Sequence, residues 1–309
     1  MIAVVGAGAV GSYFGGMLAR AGEPVTLIGR PAHVAAIREH GLRIENQAWD
    51  ERVTVAASTD LAEARGADVV LLCVKSGDTA SAGRALAPHL APEALVISLQ
   101  NGVENADALR AAAGLTVVRA VVYVAVSLAG PGHVRHTGRG DLILEAPADP
   151  ARRERLAAFA ATCARAGVPC GLEADLAPAL WVKLVLNCAF NAVSALGNVR
   201  YGVIAADPDA RVVVTRAVEE ARAVALAAGI RLPDADLVAA AWKLAQAMPG
   251  ATSSTAQDLA LGRRTEIDAL NGYVARRGAE LGVPTPVNQA LFALVRLREG
   301  ALTPPGGTP

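Results

Sequence analysis

The sequence predicts an α/β protein in two parts, a doubly wound parallel sheet followed by an all-helical domain, and three observations carry that prediction. Up to residue 171, short apolar runs alternate with alanine-rich helical segments, the order that builds parallel strands joined by crossover helices. Beyond residue 171 strand signals stop, and long stretches of helical periodicity are separated by Gly229, Pro233, Pro249-Gly250, Gly282 and Pro284-Thr-Pro286. Hydrophobic residues make up 53% of the chain but aromatics only 4%, a composition suited to close-packed helices rather than to an aromatic-rich β-sandwich.

Taken in order, Ile2–Val5 reads as a short buried strand, Gly6 to Gly11 as a turn, and Ala9 to Ala21 as a helix that stops at Gly22. Val25–Ile28 is the next strand, followed by Val53–Val55, Val69–Val74, Leu95–Leu99, Val117–Val126 and Leu142–Leu144. The second part reads as helices over 174–197, 207–229, 234–248, 254–281 and 286–299, a bundle with short connections. The 309 residues divide into a first domain at 1–171, a second at 172–302 and a flexible tail at 303–309.

Charge narrows the function classes. Twenty-nine basic residues balance 29 acidic ones, so no overall field draws the chain to nucleic acid or to an anionic membrane, and a small-molecule partner fits better. The four cysteines, at 73, 163, 170 and 188, form no Cys-x-x-Cys pair and have no histidine at metal-ligand spacing, so they read as buried reduced thiols and no metal is expected. Histidines 33, 40, 89, 133 and 136 form no triad; His133 and His136 sit beside a glycine-rich turn and are expected to face solvent. The apolar N-terminus lacks a basic flank and is interrupted by glycines at 6, 8, 11, 15 and 16, so it reads as strand, turn and helix of a cytoplasmic protein rather than as a leader or anchor.

The turn Gly6-Ala7-Gly8-Ala9-Val10-Gly11 has the spacing of a dinucleotide-binding loop of Rossmann type. In that loop the first glycine permits the tight turn, the second lets the backbone approach a pyrophosphate, and the third allows helix to pack closely on strand. The helix N-terminus then offers free N–H groups to the phosphates. An NAD site usually carries Asp or Glu at the tip of the second strand, whereas this chain has Gly29-Arg30. A guanidinium there suits a 2′-phosphate, which points to NADP(H). An ordinary surface arginine is the alternative.

Lysine occurs only at 75, 183 and 243, so arginine supplies nearly every generic positive charge. Lys75 ends the strand 69–74, and Asn101 follows the strand 95–99; carboxyl ends of strands form the ligand crevice of an open α/β sheet. Lys183, Asn187 and Asn191 are spaced i, i+4, i+8 in an otherwise apolar helix and form one polar stripe. A stripe of that kind faces either a wet cleft or bulk solvent. A lysine ammonium, unlike a guanidinium, can be tuned to give up its proton, which suits a general acid. Lys243 has no polar companions at helical spacing and reads as a surface residue. Glu266, one turn before Asn271 and expected on a helix, can hold an ammonium in place or relay a proton. Ser253-Ser254 reads as an N-cap or as a ligand for a substrate carboxylate.

These residues, in this order, resemble the 2-dehydropantoate 2-reductase (ketopantoate reductase) family. The likeness runs through Gly6–Gly11, Val74-Lys75, Gln100-Asn-Gly102, Leu180-Trp-Val-Lys-Leu184 with Asn187 and Asn191, and Thr265-Glu-Ile-Asp268. The resemblance implies an active site between a Rossmann domain and a helical domain, and hydride transfer from NADPH to the ketone carbon of 2-dehydropantoate. By position it makes Lys183 the general acid and Glu266 its support, with Asn101, Asn187, Asn191 and Ser254 orienting substrate or nicotinamide and Arg30 and Lys75 binding cofactor. The helical second domain is also compatible with a homodimer. Two departures stand out: Asn191-Ala192-Val-Ser-Ala195 where members often read Asn-Pro-Leu-Thr-Ala, and Tyr201 where some members carry a substrate asparagine. Three readings therefore stand: the pantoate enzyme, a paralogue that reduces another 2-oxo acid or an imine, and a non-catalytic NADP-binding protein.

Overall fold

The structure, a computed structural model, describes residues 1–302; the expected tail at 303–309 lies outside the described residues. The chain forms two compact units, one of Met1–Gln100 with Glu104–Leu176 and the other of Asn101–Val103 with the residues from Ala177 onward.

The first unit is built on a sheet. Its strands are β1 (Ile2–Val5), β2 (Val25–Ile28), β3 (Leu42–Glu45), β4 (Asp50–Val53), β5 (Ala56–Ser58), β6 (Val69–Leu72), β7 (Leu95–Ser98), β8 (Val117–Gly130), β9 (His133–Glu145) and β10 (Cys170–Glu173). Between them run α1 (Ala9–Arg20), α2 (Pro31–His40), α3 (Thr79–Leu86), α4 (Asn105–Ala113) and α5 (Pro150–Arg165). Strands β5-β2-β1-β6-β7-β8 lie side by side in parallel, the strand order of a dinucleotide-binding sheet. β1 is apolar throughout because both of its faces are covered: Ile2 and Val4 enter one core and Ala3 and Val5 the other.

The parallel sheet expected from the sequence is extended by antiparallel pairing. β8 and β9 form a long hairpin with shifts of register near Tyr123, Ala125 and Leu128, and β9 takes β3 on its first residues and β10 on its last. The segment expected as a strand at 53–55 straddles the end of β4 and the gap before β5. His133 and His136 lie within β9, half-buried rather than at an exposed turn; His133 faces Glu45 at 2.9 Å. Strand pairing thus lends order to a segment whose polar composition reads as a loop.

His33, given no part by its sequence position, is buried at 7% exposure. The Gly132 N–H donates to its Nδ1 at 2.9 Å, so Nε2 carries the proton and donates to Ser12 Oγ, also at 2.9 Å. One side chain thereby ties α2 to α1 and to the β8–β9 turn. The cysteines are free thiols, two buried and two half-buried; a hydrogen bond between the Cys163 and Cys170 side chains lowers the Cys170 pKa and raises that of Cys163.

The second unit is helical: α6 (Ala177–Gly197), α7 (Tyr201–Ala206), α8 (Pro208–Ala227), α9 (Leu237–Ala247), α10 (Ser254–Ala260), α11 (Asn271–Leu281) and α12 (Pro286–Leu302). α6 is long and apolar enough to cross a membrane, but it packs against α7, α8, α9, α10 and α12 and acts as the core helix of the unit. Trp181, Leu184, Val185, Cys188 and Phe190 of α6 join the central apolar cluster. The helix expected over 254–281 is broken in two. Gly262 takes a positive φ of 60°, Thr265 Oγ1 accepts the Ile267 N–H at 3.2 Å, and a single 3-10 turn at Ile267–Ala269 precedes α11. Side-chain and turn hydrogen bonds of this kind compete with the helix ladder.

Candidate active site

The glycine loop joins β1 to α1, and its three glycines have different reasons to be glycine. Gly6 has φ of 97°, and a Cβ there would lie 2.6 Å from the Val74 nitrogen. At Gly11 a Cβ would lie 2.4 Å from the Gly6 carbonyl oxygen and 3.0 Å from Val4 Cγ1. At Gly8 it would meet nothing within 4 Å. The first two positions are closed by the protein itself, and the third opens on space. No side chain caps α1 at Gly8, which leaves the first-turn amides of Ala9, Val10 and Gly11 pointing out of the helix end. The loop is held from below by Ile28, whose carbonyl accepts the N–H groups of Gly6 and Ala7, each at 2.9 Å. These features fit a dinucleotide pyrophosphate.

Arg30 follows β2 and is exposed. A Cβ on its neighbour Gly29 would stand 2.7 Å from Ala7 Cβ, so the end of β2 runs directly beside the glycine loop. Lys75, half-buried, caps the turn after β6. The Val74 carbonyl just before it accepts Gln100 Nε2 at 3.0 Å. Gln100 Nε2 also donates to Thr79 Oγ1 at 2.7 Å, Thr79 donates to Asn105 Oδ1 at 3.0 Å, and Ser98 Oγ donates to Gln100 Oε1 at 2.9 Å. All four side chains are buried. This connected polar chain holds the segment that carries Lys75, and the sequence reading assigned none of Thr79, Asn105 or Ser98 to it.

The remaining candidates all belong to the second unit. Lys183 and Asn187 are half-buried and Asn191 is buried at 4% exposure, on the α6 face set by their i, i+4, i+8 spacing. Ser253 is the N-cap of α10: its Oγ accepts the Ala256 N–H and donates to the Asn191 carbonyl, both at 3.0 Å. Its own N–H reaches Ser194 Oγ at 3.2 Å. Ser254, next in the chain, is exposed at the start of α10, one residue from the contact with Asn191. Lys243 is exposed.

Glu266 is not on an α-helix as expected but in the turn ahead of α11, half-buried. Its Oε2 accepts Asn101 Nδ2 at 3.0 Å, a contact between residues 165 positions apart. Asn101 follows β7 in sequence but is part of the helical unit, where Val103 packs against the central apolar cluster.

The model of the ketopantoate reductase PanE/ApbA family matches residues 2–149, and the model of the same family's C-terminal part matches residues 175–299. The chain belongs to the ketopantoate reductase family. The 2-dehydropantoate 2-reductase of Halobacterium salinarum is 36% identical over 96% of this chain and 98% of its own. A crystal structure of a ketopantoate reductase of this family from Ralstonia eutropha superposes with a TM-score of 0.91 at 53% identity, covering 97% of this chain and 99% of that one. D-mandelate dehydrogenase, solved with NADH and anilino(oxo)acetate, superposes with a TM-score of 0.89 at 26% identity, over 97% of this chain and 99% of that one. The protein is an oxidoreductase of the 2-dehydropantoate 2-reductase type.

Tyr201, expected from the sequence as one of two departures from the family pattern, opens α7. Its ring stacks on Phe190 with centroids 4.8 Å apart and planes 29° from parallel, and burial pushes its phenol pKa up to about 12. Its N–H donates to the Ala251 carbonyl at 3.0 Å, two residues before the serine that contacts Asn191. Phe190 in turn meets Trp242 edge-on at 5.9 Å, so Tyr201 closes an aromatic layer over α6, α7 and α9.

Proposed function

We propose that the protein reduces a 2-oxo acid to the 2-hydroxy acid with NADPH in the cytoplasm, with 2-dehydropantoate, giving pantoate, as its substrate. The observation that carries this reading is a half-buried lysine in line with Asn187 and Asn191 on an apolar helix, in the same unit as the Asn101–Glu266 pair. When bound, the reduced nicotinamide supplies the hydride.

The first unit's part is to hold the dinucleotide. The amides of Ala9, Val10 and Gly11 at the N-terminus of α1 take the pyrophosphate. Arg30 and Lys75 add positive charge, Arg30 pairing with the 2′-phosphate through its planar fork. The second unit's part is to hold the acid and to deliver a proton. Hydride arrival places negative charge on the former ketone oxygen, and the Lys183 ammonium is of most value at that moment, in the transition state. Lys183 then gives its proton to that oxygen as general acid. Glu266 is assigned the support of that ammonium, and Asn101, which donates to its carboxylate, orients Glu266. Asn187, Asn191 and Ser254 supply neutral donors and acceptors for the rest of the acid.

The likeness to D-mandelate dehydrogenase, together with Tyr201, favours one second reading, a reductase of a different 2-oxo acid. Steady-state oxidation of NADPH and of NADH, each with 2-dehydropantoate and with a panel of 2-oxo acids, separates the readings. The highest kcat/KM is expected for NADPH with 2-dehydropantoate. A tenfold preference for another acid refutes the pantoate assignment, and no turnover with any acid refutes the reductase itself.

A further inference from the structure

The turn that carries Glu266 is tied to α12, a helix that enters none of the roles above. Glu299, on that helix, accepts the Thr265 N–H through Oε1 at 2.6 Å. Its side chain is only 12% exposed and Thr265 is buried. A short bond to a shielded carboxylate is among the stronger hydrogen bonds a protein makes. The attached peptide is that between Arg264 and Thr265, one residue ahead of Glu266. One turn earlier on α12, Arg296 pairs with Asp268 Oδ2 at 2.8 Å and stands 3.7 Å from Glu299 Oε2. Arg276 NH2 donates to the Asp268 carbonyl at 2.9 Å. The turn Thr265–Asp268 is therefore gripped on both sides of Glu266, by a largely shielded carboxylate before it and by an exposed ion pair after it.

A turn needs such a grip when its side chain must keep a fixed position. Glu266 sits outside the α-helix ladder, after a break at Gly262, so no run of helical hydrogen bonds holds its backbone. Its carboxylate must nonetheless stay within reach of Asn101 Nδ2. Displacement of a site group by about 1 Å can cost on the order of a hundredfold in rate.

We propose that Glu299 is a positioning residue for the reductase reaction, holding the Thr265 peptide so that the Glu266 carboxylate keeps its place, with Arg296 as a weaker second anchor. This rests on the reading of Glu266 given under Proposed function. Four outcomes are expected. Glu299→Ala lowers kcat at least tenfold and leaves the NADPH dissociation constant unchanged, since cofactor is assigned to the other unit. Glu299→Gln, whose amide oxygen still accepts the Thr265 N–H, recovers kcat to within about threefold of the parent. Arg296→Ala, which breaks an exposed pair and leaves the fold intact, lowers kcat by only about threefold. In a Glu266→Gln background both alanine substitutions lose their effect, because the group they act through is already gone.

A purely structural role for Glu299 does not produce that last result. Penalties that multiply with Glu266→Gln, or a Glu299→Ala enzyme with parental kcat, overturn the proposal. If Glu299→Ala does not fold, the Arg296→Ala cycle with Glu266→Gln decides the matter alone, and multiplicative penalties there overturn it. If Glu266→Gln by itself leaves kcat at the parental value, it is the underlying reading of Glu266 that fails. If Glu266→Gln lowers kcat and Glu299→Ala does not, only the present proposal fails.

Discussion

Alanine at position 8 should leave the fold untouched and remove most of the affinity for NADPH. Gly8 has φ of −87° and ψ of −159°, a conformation open to any residue, and a Cβ there meets no protein atom within 4 Å. Substitution of glycine by alanine at such a site stabilises a protein by about 0.4–1 kcal/mol, through the unfolded chain. The added methyl instead occupies the space on which the α1 amides open. If it keeps the pyrophosphate from one or two of those N–H groups, each lost bond to a charged group is worth about 1.5–3 kcal/mol. A loss of affinity between roughly tenfold and somewhat over ten-thousandfold follows. Gly11→Ala is the contrasting case: its Cβ would lie 2.4 Å from the Gly6 carbonyl oxygen, and overpacking of this kind costs about 1–3 kcal/mol of stability. Urea unfolding and titration of NADPH fluorescence, applied to both variants, separate the two effects. A Gly8→Ala protein that binds NADPH as tightly as the parent refutes the assignment of this loop to the pyrophosphate.

Other substitutions test the remaining assignments. Lys183→Ala should lower kcat at least about a hundredfold, the scale of a lost general acid, with NADPH binding unchanged; near-parental turnover removes Lys183 from the chemistry. Arg30→Glu should raise KM for NADPH at least about tenfold and leave KM for NADH within about twofold, because a carboxylate repels only the 2′-phosphate; equal effects on both cofactors contradict the proposed contact. Burial holds the His33 pKa below its usual value near 6.5, so the folded chain binds fewer protons at this site than the unfolded chain. The stability contributed by neutral His33 is complete above about pH 6.5 and is lost as pH falls through the lower folded value. Melting temperature should therefore decline on acidification in that window, and His33→Asn should flatten the decline. Identical slopes in the two proteins rule His33 out as its source.

The part of this molecule legible in the sequence is the part that short-range chemistry dictates. The glycine loop and its flanking elements follow from glycine spacing and from β1 and β2, which are buried along their length and almost wholly apolar. The α6 stripe follows from helical periodicity. What escaped was set by distant partners. His133–Asp141 reads as a polar loop, yet it is a strand because β8 runs alongside it; only Val134 and Gly140 of that stretch are buried on it. β3 alternates buried and half-buried residues but has just four of them, too short a run to stand out from noise. The break at Gly262 was hidden because the residues around it, among them Leu261 and Arg263, are ordinary helix formers. Pairing of Asn101 with Glu266 joins segments 165 residues apart, and no local pattern foretells it.

The membership of Asn101–Val103 in the helical unit changes what it means to cut this protein in two. The backbone passes between units after Gln100, returns after Val103 and passes again after Leu176. A fragment ending at Leu176 would keep these three residues without the helices that cover Val103. A fragment beginning at Ala177 would present Glu266 without the amide it accepts. The break that looks natural in the sequence is thus a poor place for truncation, domain exchange or split-protein reassembly. Chimaeras with other members of the family should transplant the Asn101–Val103 turn together with the helices it belongs to.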